Sequence, residues 1–218
     1  MIISPLAIIE LLFKGFIIGV VVSAPLGPVG VLCIQRTLNK GRWYGFVTGL
    51  GAALSDIIYA LLTGYGMSFI SDIISNHIYL FQWVGSAMLF LFGLYTFRSN
   101  PVRSLRPVST TKGTYLHNFI TAFFVTISNP LIIFLFIGLF ARFAFADPNC
   151  QIHEQISSYV AIAVGALTWW FAITYGVNKV RKRFDLRGIW MINRGVGIVV
   201  MVVAVVGAVL TFLGNVMY

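Results

Sequence analysis

Six long apolar stretches constrain this chain more than any other feature. A helix needs about 20 residues to cross the hydrocarbon core of a membrane, and every stretch approaches or exceeds that length. Only 10% of the residues are charged, so a soluble fold would lack polar side chains for its surface. The sequence therefore predicts an all-α integral membrane protein, a single domain over residues 1–218 with six transmembrane helices. The predicted spans are 8–32, 45–66, 78–97, 118–140, 157–177 and 195–213.

Lysine and arginine are concentrated in alternate loops. Thirteen of the 15 basic residues fall in the segments 33–44, 98–117 and 178–194. Cytoplasmic loops of membrane proteins collect Lys and Arg, so these three segments are predicted to lie inside and both termini outside. This topology accounts for the formal net charge of +9, and no nucleic-acid partner is expected.

A short pattern recurs near the middle of two spans. Ser23-Ala24-Pro25 in the first span corresponds to Ser128-Asn129-Pro130 in the fourth. The two halves, about 1–105 and 106–218, then contain three spans each, and an odd number forces them to insert in opposite directions. This arrangement is the inverted repeat of many secondary transporters, which bind substrate where corresponding helices are broken.

Prolines and glycines interrupt the first and fourth spans. A proline lacks its N–H and clashes with the carbonyl four residues earlier, and hydrocarbon cannot satisfy the freed backbone groups. A simple kink is one interpretation. The matched interruptions favour a broken-helix binding site instead. Its predicted residues are Pro25, Gly27 and Pro28 in the first half, and Asn129 and Pro130 in the second.

Asp56 is the only acidic residue in the central part of any predicted span. It lies about 16 Å from either helix end, too far for its short side chain to reach water. An ionisable residue at this depth is a candidate for function, as the site of a coupling proton or of a substrate ammonium group. The alternative is a structural hydrogen bond to a neighbouring helix. Tyr59, three residues later, is a weaker candidate on nearly the same face.

Asn129 offers both a donor and an acceptor beside the second break. It could bind a polar solute or cap the freed backbone, and the sequence leaves both open; Thr126 is a weaker companion. Gly15-x-x-x-Gly19 and Gly45-x-x-x-Gly49 are typical of close helix packing. That packing could lie within one chain or between copies, so a homo-oligomer stays an alternative.

Motifs for catalysis are missing from the sequence. It contains no P-loop, no HExxH, no GxSxG and no Cys/His cluster. One carboxylate and no histidine at membrane depth are too few ligands for a transition metal. The sequence thus predicts a protein that is not an enzyme and has no cofactor or metal site. A passive pore or a membrane interaction module is the alternative to a transporter.

Several of these segments together carry a family resemblance. The break Pro25–Pro28, the basic loop Arg36–Arg42 and the small-residue helix Gly45–Asp56 resemble the N-terminal signature of the lysine exporter (LysE/RhtB) family of amino-acid efflux proteins. Asn129-Pro130 resembles the second signature of that family. The resemblance covers essentially the whole chain.

The resemblance implies secondary active export of amino acids or related small metabolites across the bacterial cytoplasmic membrane. The coupling ion would be H⁺ or Na⁺, as in an antiporter, and the mechanism alternating access. Distant relatives export inorganic cations, which is an alternative here. One departure is local: the common family form reads Pro-Gly-Pro, whereas Leu26 stands between Pro25 and Gly27 in this chain.

Overall fold

Helices account for nearly all of the described structure. The computed structural model describes residues 5–68, 76–100, 113–143, 145, 152–180 and 186–213. Within these ranges the chain forms eight α-helices and no strands, which confirms the predicted all-α class. The helices are α1 (Pro5–Ser23), α2 (Pro28–Lys40), α3 (Arg42–Ser68), α4 (Ile78–Arg98), α5 (Tyr115–Ile127), α6 (Leu131–Phe143), α7 (Ile152–Lys179) and α8 (Leu186–Phe212).

Four of these helices, α3, α4, α7 and α8, are long and apolar enough to cross a membrane singly. The remaining four form two bent pairs, α1 with α2 at 79° and α5 with α6 at 69°, and each pair has the composition of one broken span. The described residues therefore contain four to six candidate spans. This architecture is that of a multi-pass membrane protein.

Both bends fall at the prolines that the sequence singled out. α1 ends at Ser23, and α2 begins at Pro28, where proline is favoured because the first N–H of a helix has no partner within it. α5 ends at Ile127, and α6 begins at Leu131, directly after Pro130. Each change of helix direction thus coincides with a proline, which has no backbone N–H group.

Two segments predicted as loops are partly helical. α2 continues through Arg36 to Lys40, and α8 begins at Leu186, nine residues before the predicted start of the sixth span. The prediction ended each apolar run at its first basic residues. A helix can nevertheless extend past the hydrocarbon, where water and headgroups solvate Lys and Arg. The correction places Arg36 and Asn193 on helices, which matters for the site.

Close helix contacts are made by glycines. α1 packs along α7, α3 along α5, and α4 along α8. Gly19, Gly51 and Gly93 each lie against the backbone of the partner helix, and a Cβ at any of them would collide with a main-chain atom or a side chain there. Small residues allow such backbone approach, which is a main source of helix association in membranes.

Two arginines mark one end of the bundle. Arg42 at the start of α3 lies 5.6 Å over the ring of Tyr175 near the end of α7. Arg194 near the start of α8 lies 4.3 Å over the ring of Phe97 near the end of α4. Only six residues separate α7 from α8, so both contacts lie at the same end. We call this end of the molecule the basic end.

An apolar core fills the half of the bundle away from the basic end. It contains Ile18 of α1, Tyr59 of α3 and the row Phe136, Leu139 and Phe140 of α6, all buried. On α3 the core begins after Asp56, on the side far from Arg42. The core therefore separates the middle of the bundle from the end opposite the basic end.

The α1–α7 contact gives a direct test of the packing. We expect Gly19→Ala to lower the free energy of unfolding by about 1–3 kcal/mol, because the new methyl group would meet the Ile162 carbonyl and force the backbones apart. The measurement is denaturant unfolding of the purified protein in detergent micelles. Gly176→Ala is the matched control, since a Cβ there meets nothing within 4 Å. Equal free energies of unfolding for the two variants would contradict the close packing of α1 against α7.

Candidate functional site

A cavity of about 260 Å³ lies where the two helix breaks approach α3, α4 and α8. It extends from Asp56 in the middle of the bundle to Ser99 and Asn100 at the basic end. Residues of both halves of the chain line it, so neither half forms the site alone. The lining residues with polar side chains are Ser23, Asp56, Tyr95, Thr96, Ser99, Asn100, Thr126, Asn129 and Asn193.

The cavity brings together six of the eight residues that the sequence predicted for the site. Those six are Pro25, Gly27, Pro28, Asp56, Thr126 and Asn129. Tyr59 and Pro130 do not line it. Tyr59 is buried in the apolar core and donates its hydroxyl hydrogen to the carbonyl of Ile127, so it joins α3 to the end of α5. Pro130 lies at the second break, directly before Leu131, the first residue of α6.

Asp56 is buried at the inner end of the cavity, with 4% of its surface exposed. The Ser23 hydroxyl donates to its Oδ2 at 3.0 Å, and this is its one hydrogen bond within the described part of the chain. Among the same residues no lysine, arginine or histidine forms a salt bridge with it. A carboxylate can accept about four hydrogen bonds, so Asp56 retains capacity for a ligand or a proton.

The first break presents opposite partial charges to the cavity. α1 ends at Ser23 beside Asp56, and the last carbonyls of a helix carry partial negative charge. α2 starts at Pro28 with Gly27 as its N-cap, which has no side chain to cap it. The N–H groups of Val29 and Gly30 consequently have no acceptor among the described residues. A helix start of this kind attracts an anionic group.

Asn193 holds the first break in place, and the sequence analysis missed it. Its Oδ1 accepts the N–H of Leu26 at 3.1 Å, while its Nδ2 donates to the Thr96 carbonyl at 2.6 Å and to the Ser99 hydroxyl at 2.9 Å. One buried amide thus ties the break to the end of α4. The prediction placed residue 193 in a loop beside Arg194. A hydropathy window that tolerates single charges starts the span at Trp190 and would have included it.

The second break is capped by its own asparagine. Asn129 Oδ1 accepts the N–H of Leu131 at 3.2 Å, and the Asn129 carbonyl accepts the N–H of Ile132 at 3.3 Å. The side-chain oxygen therefore caps the freed backbone, which was one of the two roles left open by the sequence. Its Nδ2 donates to no described residue and remains available to a ligand. The Thr126 hydroxyl is used within its own helix, where it donates to the Ala122 carbonyl.

The charge of the cavity is set by a single group. Asp56 is its one carboxylate, and the described lining contains no Lys, Arg or His. Phe92, Leu135 and Trp170 supply an apolar wall. A ligand with one cationic group, a neighbouring acceptor group and an uncharged remainder matches this lining, because an unpaired buried charge is costly.

Comparison with known proteins shows what this chain is similar to. A family model described as LysE type translocator matches residues 20–211, a range that includes both breaks and Asp56. The protein named "Putative amino acid efflux protein YcgF" of Bacillus subtilis (strain 168) is 28% identical over 170 residues, 76% of this chain and 79% of that protein. The "Uncharacterized membrane protein YahN" of Escherichia coli (strain K12) is 23% identical over 154 residues, 69% of this chain and 68% of that protein. No solved structure matches this chain significantly.

The role of Asn193 predicts a local effect on the first break. We expect Asn193→Ala to destabilise the protein by about 1–3 kcal/mol, because the buried N–H of Leu26 loses its acceptor. Amide hydrogen exchange of a peptide containing Leu26 should accelerate in this variant. Ser99→Ala is the control, since it removes one partner of Asn193 and leaves the bond to Leu26. Unchanged exchange at Leu26 in Asn193→Ala would contradict this role.

Proposed function

The chain belongs to the LysE type translocator family, and we propose that it is a secondary active exporter of amino acids across the bacterial cytoplasmic membrane. One observation supports amino acids as the substrate class. A single buried carboxyl group and an uncapped helix start lie on the same small cavity, between two broken spans. The Bacillus subtilis relative, named "Putative amino acid efflux protein YcgF", supports the same class.

The first break is suited to hold the two ends of an amino acid. The ammonium group would lie against Asp56 and the terminal carbonyls of α1, and charge-assisted hydrogen bonds of this kind are the strong ones. The carboxylate would accept from the N–H groups of Val29 and Gly30 at the start of α2. The free amide hydrogens of Asn129 supply a further donor from the second break.

The cavity wall favours an uncharged side chain. Trp170, Phe92 and Leu135 offer apolar surface, and the described lining has no second charge to pair with a lysine or glutamate side chain. Burying such a charge without a partner would cost several kcal/mol. Neutral amino acids of small to moderate size are therefore the proposed substrates.

Asp56 also supplies a route to coupling. We assign H⁺ as the coupling ion, because one carboxyl group can hold either a proton or the substrate's ammonium group but not both. Release of the amino acid on the outer side would let a proton take its place. Return of the protonated site to the inner side would complete an exchange of one solute for one proton, so the protein would act as an antiporter.

The direction of access follows from the two ends of the bundle. The cavity extends towards the basic end, which the positive-inside rule assigns to the cytoplasm, with both termini outside. The apolar core lies beyond Asp56 and would close the outer path. The bent pairs in corresponding positions support six spans in two inverted halves. Alternating access would then open the outer side while closing the basic end.

Removal of the charge at Asp56 tests the coupling. We expect Asp56→Asn to reduce amino-acid export by at least about tenfold, because the ammonium group and the proton both lose their partner. The measurement is release of a panel of amino acids from peptide-fed bacterial cells, with and without an uncoupler. Membrane levels of the variants are matched first.

Ser55→Ala is the matched control for that experiment. Ser55 is the buried neighbour of Asp56, but its hydroxyl donates to the Phe123 carbonyl on α5 and it does not line the cavity. Export should stay near the wild-type rate in this variant. Unchanged uncoupler-sensitive export in Asp56→Asn would contradict the role of Asp56 in coupling. Release that never saturates would indicate a passive pore.

The proposed substrate contacts predict which derivatives are rejected. For the best amino acid of the panel, the α-N-acetyl derivative and the α-amide should each compete roughly tenfold or more weakly, because each lacks one charged end. Competition is measured against labelled amino acid in proteoliposomes. A derivative with one extra side-chain methylene is the control, with an expected change of only a few fold. Equal competition by the N-acetyl derivative would show that the ammonium group is not recognised.

A further inference from the structure

A second buried polar cluster lies outside the cavity, around Arg142. Arg142 lies outside the three basic segments of the sequence, and only 1% of the residue is exposed. It is near the end of α6, opposite the basic end. Its Nη1 donates to the Thr211 hydroxyl of α8 at 3.3 Å, and Thr211 donates to Gln82 Oε1 of α4 at 3.1 Å. Three helices therefore meet at this guanidinium group.

The cluster has donors without acceptors. Arg142 Nη2, Gln82 Nε2 and the Ser86 hydroxyl are all buried, and none of them has a hydrogen-bond partner among the residues that the structure describes. Gln82 and Ser86 lie one turn apart on the same face of α4. No carboxylate of the described residues forms a salt bridge with Arg142. A buried guanidinium left without a counter-charge is strongly unfavourable, so the arrangement calls for a negative partner.

The backbone leaves room for the guanidinium group. A Cβ at Gly207 of α8 would collide with Arg142 Nε, so this glycine lets the side chain lie directly on the helix backbone. Gly85 of α4 lets the α6 backbone come close, since a Cβ there would lie 2.8 Å from the Gly138 carbonyl oxygen and 3.2 Å from the Arg142 backbone nitrogen. The Arg142 side chain is thus held in the interior, against the backbone of α8.

The other buried arginine shows what a fully partnered site looks like. Arg36 on α2 is also buried, and its guanidinium donates to Thr48, to the Asn118 carbonyl and to Thr121. Those acceptors belong to the protein and satisfy both terminal nitrogens. Arg142 lacks this set, although it lies at a comparable position on the second half of the other broken span.

We propose that Arg142, Gln82, Ser86 and Thr211 form a binding site for a small anion, separate from the transport cavity. Two unpartnered NH₂ groups, one unpartnered hydroxyl and a positive charge fit a chloride ion or a carboxylate group. None of the four residues lines the cavity, but α6 connects them to it through Leu131, Ile132 and Leu135. A bound anion would hold α4, α6 and α8 together at the end opposite the basic end.

The experiment measures thermal unfolding of the purified full-length protein in detergent while one anion is varied. Chloride and acetate are titrated separately, with a bulky sulfonate keeping the ionic strength constant. A ligand that binds only the folded state raises the melting temperature in a saturable manner. We expect such a rise for the wild type and its loss in Arg142→Gln.

Two further variants keep the result interpretable. Arg36→Gln removes the same charge from the partnered site and should retain the anion response at a lower starting melting temperature. Ser86→Ala removes one unpartnered donor, so it should fold well and bind the anion roughly threefold to tenfold more weakly. If Arg142→Gln does not fold, the comparison of Ser86→Ala with wild type decides the question.

Each outcome has a defined meaning. A response to chloride alone assigns an inorganic anion, a response to acetate alone assigns a carboxylate, and a response to both supports a general small-anion site. The proposal would be overturned if neither anion changed the melting temperature of the wild type. So would a response of equal strength in wild type, Ser86→Ala and any folded Arg142→Gln protein.

Discussion

Backbone groups freed inside a membrane must find partners within the protein, because hydrocarbon offers none. Both bent helix pairs are subject to this constraint, and they meet it differently. Asn129 caps the start of α6 with its own side chain, whereas the N–H of Leu26 relies on Asn193, which is 167 residues further along the chain. At the first break, the N–H groups at the start of α2 remain without an acceptor among the described residues. The proposed binding site is therefore the part of the break that the fold does not satisfy.

Features with local causes were predictable from the sequence. Span length, the position of the breaks and the depth of Asp56 follow from hydropathy, from the chemistry of proline and from a count of residues. The bends at 79° and 69°, the clamp by Asn193 and the burial of Arg142 depend on which helices become neighbours. Asn193 and Arg142 stand beside charged or aromatic residues that look like loop boundaries. Their roles appear only when α4 and α8 are packed together.

Charge is distributed unevenly between the two ends of the molecule. The basic end is open to the cavity and carries arginines stacked on aromatic rings, where water and headgroups can solvate them. The other end is closed by aromatic and aliphatic side chains, and there a single arginine is enclosed in the protein. The enclosed arginine contacts residues of α4 and α8, and it does not line the cavity. The two ends therefore differ in whether their positive charge can be solvated.

The glycine contacts have a consequence for how the molecule can deform. α1 is held against α7, α3 against α5, and α4 against α8, so each close pair takes one helix from each half of the chain. The two halves are interleaved rather than side by side, and a motion that parted them along the sequence boundary would have to open all three contacts. A rigid unit that preserves one of these contacts therefore contains helices from both halves of the chain. A change of shape that keeps these contacts would slide mixed helix pairs past one another and would not hinge the first half of the chain against the second.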